Sequence, residues 1–256
     1  MLKKTILILI LFHSALSYSY VVLIDPGHGG DEYGATTKLT LKNSKNKYYT
    51  RMIKEKDLTL VLAKKVKKYL QKKYTTYLTR SFDRSVSLEE RAELADTVKA
   101  DLFISIHFNS SNESKSNGFE TYYLDNHADV AIKKVETIEN KDLKGEDKII
   151  NQILIDLVIQ KTVVNSKKLA NLVHDHTANY VEKKFQLKNR GVKPGLFYVL
   201  ALSKRPGILI EAGFLSNKEE LKKINSDNYL DAYASGIAIG IDKYIESQPK
   251  RDLPLF

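Results

Sequence analysis

Residues 21–35 read VVLIDPGHGGDEYGA. Val21 to Ile24 form an uninterrupted apolar run, and Asp25-Pro26-Gly27-His28-Gly29-Gly30 follows without a spacer. That order predicts a strand buried on both faces that ends in a tight loop, with His28 presented between glycines. Downstream, Leu58, Val61, Leu62, Val66, Tyr69 and Leu70 share one helical face across residues 57–70, with lysines opposite. Residues 74–78 read as a second strand, and Ser87 with Glu90 makes a capping box for a helix over 88–98. Residues 102–108 (LFISIHF) are a third strand, apolar except for Ser105 and His107. Residues 118–124 (GFETYYL) are a fourth, and residues 207–211 (GILIE) a fifth that ends at Glu211. The last strong helix runs from Tyr229 to Ile245. Strands alternating with helices predict an α/β fold, a single domain with a mostly parallel twisted sheet and helices on both faces.

The chain has 256 residues, 43% of them hydrophobic, which suits one sizeable core and leaves little for a second. Lys3 and Lys4 precede the apolar run Thr5–Phe12, and Ser14, Ala15, Ser17 and Ser19 follow it. Residues 1–19 therefore read as a signal peptide, with a domain over 20–248 and an exported product, free of stable membrane insertion once cleaved. Absence of cysteine limits any metal chemistry to His, Asp and Glu ligands. Formal net charge is +10, and losing Lys3 and Lys4 with no acidic residue leaves +8. Given export, a polyanionic envelope is the expected partner and nucleic acid is not, since the lysines are scattered over helix faces.

Between residues 125 and 165 the pattern loosens: charges are dense over 133–148, and Ile149–Val164 is helix-like. Asn165 is expected to cap a separate helix carrying Leu169, Leu172, Val173 and His176. A connection this long is usually functional or mobile.

In open α/β sheets, ligands bind at the carboxyl ends of the strands. His28, His107 and Glu211 fall at or just beyond such ends, and Glu55 opens the helix that follows the glycine-rich loop. Two imidazoles and a carboxylate are a catalytic zinc ligand set, and a further carboxylate beside them serves as base. Each residue alone has a plainer reading: a turn histidine, a core histidine, a first-turn glutamate. Glu211 is the exception, because an uncompensated carboxylate after GILI is expensive to bury. His127, His174 and His176 receive no metal role.

VVLIDPGHGGDEYGA, EKDLTL from Glu55, YLTRSFDRSVSLEERAELAD from Tyr77, ADLFISIHFNS from Ala100 and KRPGILIEAGFLSN from Lys204 stand in order along the chain. Together they resemble the zinc-dependent N-acetylmuramoyl-L-alanine amidases, in particular the periplasmic enzymes that split the septal wall. The resemblance implies one zinc per chain on His28, Glu55 and His107, with Glu211 as catalytic glutamate. It implies hydrolysis of the amide between N-acetylmuramic acid and L-alanine in peptidoglycan, in wall remodelling and daughter-cell separation. Asn109 and Ser110 are then either substrate contacts or loop residues, and Arg80 and Arg91 structural ion-pair partners. Residues 131–166 look like the family's autoinhibitory insertion, with Glu139 as the glutamate that blocks the metal and Glu136 as second choice. Such a block implies an activator protein with a wall-peptidase-like domain. The rivals are another zinc hydrolase, such as a peptidase or a sugar deacetylase, and a non-catalytic wall-binding protein.

Overall fold

The apolar run is strand β1 (Val21–Pro26), buried from Val22 onward. In this computed structural model, which describes residues 19–125 and 147–249 (147–152 by backbone alone), seven further strands follow. They are β2 (Thr36–Lys42), β3 (Tyr48–Lys54), β4 (Thr75–Leu78), β5 (Leu102–Asn109), β6 (Phe119–Leu124), β7 (Asn189–Gly195) and β8 (Gly207–Phe214). Six of them build one sheet of order β4-β1-β5-β8-β6-β7. The first four in that order are mutually parallel, while β6 pairs antiparallel with β8 and carries β7 parallel to itself. The predicted α/β domain with a mostly parallel sheet is therefore what forms.

The described helices are α1 (Glu55–Leu70), α2 (Leu88–Thr97), α3 (Asp147–Phe185), α4 (Tyr198–Ser203), α5 (Lys218–Ile224) and α6 (Asp227–Glu246). They cover both faces of the sheet. Val22, Ile24, Ile104, Ile106, Ile208 and Ile210 point into a core closed by α1, α6 and the later turns of α3. Leu23, Phe103, Leu209 and Tyr122 point the other way, against α2, α4 and Ile155, Val158 and Ile159 of α3. Alternation along each strand fixes this division. Asp25, Ser105, His107, Glu211 and Glu120 accordingly share the second face. Ser87 and Glu90 form the predicted capping box at the start of α2.

Three expectations need correction. No new helix begins at Asn165: α3 is continuous over 39 residues. Buried Leu169, Ala170, Val173 and Val181 prolong the spacing of Ile155, Val158, Ile159 and Thr162, so one apolar stripe runs through and no cap is needed. The fifth predicted strand does not stop at Glu211 but continues to Phe214 as β8. Residues 36–54, which carried no strand prediction, form a separate two-stranded antiparallel hairpin. Glu136 and Glu139 lie outside the described residues, as do most of the expected signal segment and His127.

Helix α3 crosses α6 at two glycines. A Cβ at Gly240 would stand 2.4 Å from Val173 Cα, and one at Gly236 would stand 2.6 Å from Thr177 Cα. Both obstacles are helix backbone, which cannot step aside without moving the whole element. Gly240→Ala is expected to cost about 2 kcal/mol through overpacking, lowering Tm by about 4–8 °C for a domain this size in a thermal melt.

Candidate metal centre

His28 follows β1 in the loop opened by Gly27 and takes φ of 59°, a left-handed conformation unusual for a residue with a side chain. The surrounding contacts over-determine it. Arg80 donates from Nε to the carbonyl of Pro26 (3.0 Å) and from Nη2 to that of Gly27 (2.9 Å). Arg91 Nη2 donates to the carbonyl of His28 itself (3.0 Å). Both arginines are almost fully buried. Arg91 forms an ion pair with buried Asp25, which also accepts from Thr79 Oγ1 (2.6 Å) and Ser105 Oγ (2.9 Å). Burial alone would raise the Asp25 carboxyl, but the charge of Arg91 and the hydrogen bonds from Thr79 and Arg91 hold it below the usual carboxylate range. Arg91 thus makes the expected structural ion pair, whereas Arg80 is held by backbone carbonyls and not by a carboxylate. Lys56 adds a clamp on the same loop, donating to the carbonyl of Gly30 and to Asp83 (both 2.6 Å).

Glu55 is the first residue of α1, directly after the hairpin. Its Oε2 accepts from Ala35 N (2.8 Å) while its own N donates to the Ala35 carbonyl (2.9 Å). Its Oε1 accepts from Phe108 N (3.0 Å). That same oxygen lies 3.2 Å from His28 Nε2 and 3.1 Å from His107 Nδ1. The two imidazoles stand nearly perpendicular, ring centres 4.9 Å apart. One ligand atom from each of the three residues falls within 4.8 Å of the others, and this is the one such group among the described residues. Burial pushes the Glu55 carboxyl up, yet hydrogen bonds and charge from His107 and His28 outweigh it and keep it well below the usual range. An anionic, buried carboxylate flanked by two imidazoles has the donor chemistry of a divalent transition-metal site, so the residues present fit the ion. Glycines make room for the cluster. A Cβ at Gly27 would fall 2.3 Å from the His107 ring, and one at Gly34 would fall 2.5 Å from Glu55 Oε2.

Glu211 sits on β8 in register with His107 on β5. Adjacent in-register residues on paired strands point to the same face about 5 Å apart, so this buried carboxylate stands beside the His-Glu-His group. Sequence reasoning missed the next residue in the row. Glu120 on β6 is in register with Glu211 and is also buried. It accepts from Asn109 Nδ2 (2.7 Å) and Arg190 Nε (2.9 Å) and pairs with Lys193. The signal was present: Glu120 is a carboxylate in an otherwise apolar strand, as Glu211 is in GILIE. Asn109 is therefore committed to Glu120, and Ser110 is an exposed loop residue. His174 lies away from the cluster, between Thr121 Oγ1 (3.1 Å) and Asn189 Oδ1 (2.7 Å), and stacks on Phe119.

A family model described as N-acetylmuramoyl-L-alanine amidase matches residues 22–243, almost the whole described domain. The chain belongs to that family. AmiA, an N-acetylmuramoyl-L-alanine amidase of Escherichia coli K12, is 30% identical over 234 residues, covering 88% of this amidase and 75% of the relative. The crystal structure of an N-acetylmuramoyl-L-alanine amidase from Clostridium difficile 630 superposes with a TM-score of 0.65. It is 32% identical and covers 91% of this chain and 100% of its own. The CwlD amidase of Clostridioides difficile, solved in complex with the GerS lipoprotein, gives 0.64 at 26% identity, covering 90% and 100%. This amidase is thus a hydrolase of the family's wall-amide class, with a His-Glu-His group able to hold a metal.

Because Gly34 adopts φ of +63° against Glu55 and His28, Gly34→Ala is expected to push both side chains apart. Metal affinity should fall by about 10- to 100-fold, as when ligand-orienting contacts are lost. Competition with a chromogenic chelator measures this. Unchanged affinity would show that the cluster tolerates displacement.

Proposed function

We propose that this amidase is an exported zinc enzyme that hydrolyses the amide between N-acetylmuramic acid and L-alanine of peptidoglycan. The observation that carries the reading is the His28–Glu55–His107 group with Glu211 in register beside it. One zinc ion would be held by His28, Glu55 and His107. Bound there, it would supply a Lewis acid that polarises the scissile carbonyl and lowers the pKa of water.

The chain's own residues supply the rest. Glu211 is the base: its carboxylate takes a proton as water attacks the carbonyl and returns it to the departing alanine amine. Its place on a central strand, packed against β5 and β6, restrains its position without a loop. The Arg80 and Arg91 contacts to the carbonyls of residues 26–28 keep His28 in a conformation it would not hold alone. The buried face excludes bulk water from Glu55 and His107.

Residues 1–19 act as a signal peptide in this reading, residues 20–248 as the catalytic domain, and the periplasm is the place of work. The charged-then-apolar start supports export, and no described helix is long and apolar enough to cross a membrane. Wall remodelling and daughter-cell separation are the proposed role. Glu139, with Glu136 as the alternative, blocks the metal until an activator protein with a wall-peptidase-like domain withdraws it. Asp125 closes β6 at the end of the sheet away from His107, since β6 runs opposite to β5 and β8. Fourteen Cα steps lead from Asp125 to Glu139 (139 − 125), an extended reach of about 46 Å. The strand itself spans only about 20 Å, so the segment is long enough to return to the site. The CwlD–GerS complex supports a protein partner for a member of this fold.

Purified wall sacculi digested by the protein should show new amino termini on alanine with glycan strands intact. Glu211→Gln should retain the wild-type metal content and lose at least about 100-fold in kcat; loss of metal along with activity would make Glu211 a ligand instead. Glu139→Ala should raise the basal rate of the purified protein, and an unchanged rate would remove the autoinhibitory reading.

A further inference from the structure

The row of side chains across the sheet does not end at Glu211. Next to it stands Glu120, and beyond that, on the edge strand β7, stand Arg190 and Lys193. Residues three apart on a regular strand point to opposite faces. Here both reach the same carboxylate because the β6–β7 register shifts: Phe119 pairs with Asn189, but Thr121 pairs with Val192. The extra residue lies at Arg190–Gly191, and Gly191 takes φ of +79°. Such a bulge re-aims a side chain. Asn109 reaches across β8 to the other oxygen of Glu120, so the network frames Glu211 from both sides.

Two cations face the buried carboxylates of Glu120 and its in-register neighbour Glu211, and each cationic side chain remains 29% exposed. The Arg190 guanidinium also lies over the Phe214 ring, 5.2 Å from its centre, within cation–π range. Nε and one Nη of Arg190 are engaged, by Glu120 and the Asn117 carbonyl (3.4 Å), leaving donors on the second Nη.

Resting on the amidase reading above, we propose that Arg190 and Lys193, organised by Glu120, form a subsite for a substrate carboxylate on the amine side of the scissile bond. Direction follows from the row. The ligand group lies on the β1–β5 side of Glu211, and Glu211 hands its proton to the amine, so the peptide leaves toward β6 and β7. Consecutive Cα atoms are about 3.8 Å apart and neighbouring strands about 4.8 Å apart. A carboxylate one or two residues beyond the cleaved amide therefore falls within reach of two long side chains leaning over Glu120.

The test compares two synthetic muramyl stem peptides, identical except that the residue after alanine carries a free carboxylate or a carboxamide. The wild-type protein should favour the carboxylate about tenfold in kcat/KM, as expected for one charge-assisted hydrogen bond. Lys193→Met and, separately, Arg190→Gln should bring that ratio to near one through KM, with Lys193→Arg restoring it. Calorimetric binding of the two free stem peptides to the protein should show the same preference and the same loss, whether or not cleavage occurs. Equal affinity of the wild type for both peptides, or variants that weaken both equally, would overturn the subsite. Binding preference without cleavage at the muramyl–alanine bond would sink the amidase reading and leave the subsite standing.

Discussion

Asp25 and Arg91 meet inside the protein, and the position of His28 follows from that contact. Bringing two charges out of water is costly, and the pair holds only if every remaining donor and acceptor finds a partner. Thr79 and Ser105 complete Asp25, while Nη2 of Arg91 and Nε and Nη2 of neighbouring Arg80 donate to three consecutive carbonyls of the loop. Removing either charge would strand the other, at about 3–5 kcal/mol. The arrangement converts a flexible glycine-rich loop into a fixed mount and holds His28 in a left-handed conformation. The same Arg91 side chain that completes the ion pair also fastens the carbonyl of His28, so the core and the loop are tied at one point.

From that mount the site extends sideways along the sheet. Parallel β1, β5 and β8 present their carboxyl ends together, so residues distant in the chain become neighbours spaced by the strand separation. Glu55 stands at the start of α1, held by Ala35 N from the loop before β2 and by Phe108 N and the His107 ring from β5. The reversal at β6 is what continues the row: an antiparallel strand beside β8 sets Glu120 opposite Glu211. Along this row the imidazoles come first, two carboxylates follow, and a dibasic pair stands at the far end.

Much of this was legible beforehand. VVLI followed by DPGHGG announced a buried strand and its loop, and Glu211 was conspicuous because nothing structural justified a carboxylate after GILI. Glu120 gave the same signal inside FETYYL and passed unnoticed, since its cations lie about 70 residues away on a strand with no apolar alternation. The hairpin at 36–54 was silent for a related reason. Its alternating threonines and lysines leave only Leu39 and Ile53 to bury, too few for a periodic signal. Helix α3 was divided at Asn165 because Asn is a favoured cap, a local preference that the continuous apolar stripe overrides.

Readable from the residues alone is the inventory: an α/β chain whose strand ends carry two histidines and a glutamate, with another glutamate at the head of a helix. Apolar periodicity and loop chemistry are local, so they can be read one segment at a time. Only the tertiary structure decided that His28, Glu55 and His107 share one centre, that Arg80 and Arg91 fasten the loop, and that a bulge turns Arg190 and Lys193 toward Glu120. Those outcomes depend on strand order and register. Register arises from the packing of both faces at once, and no single segment contains it.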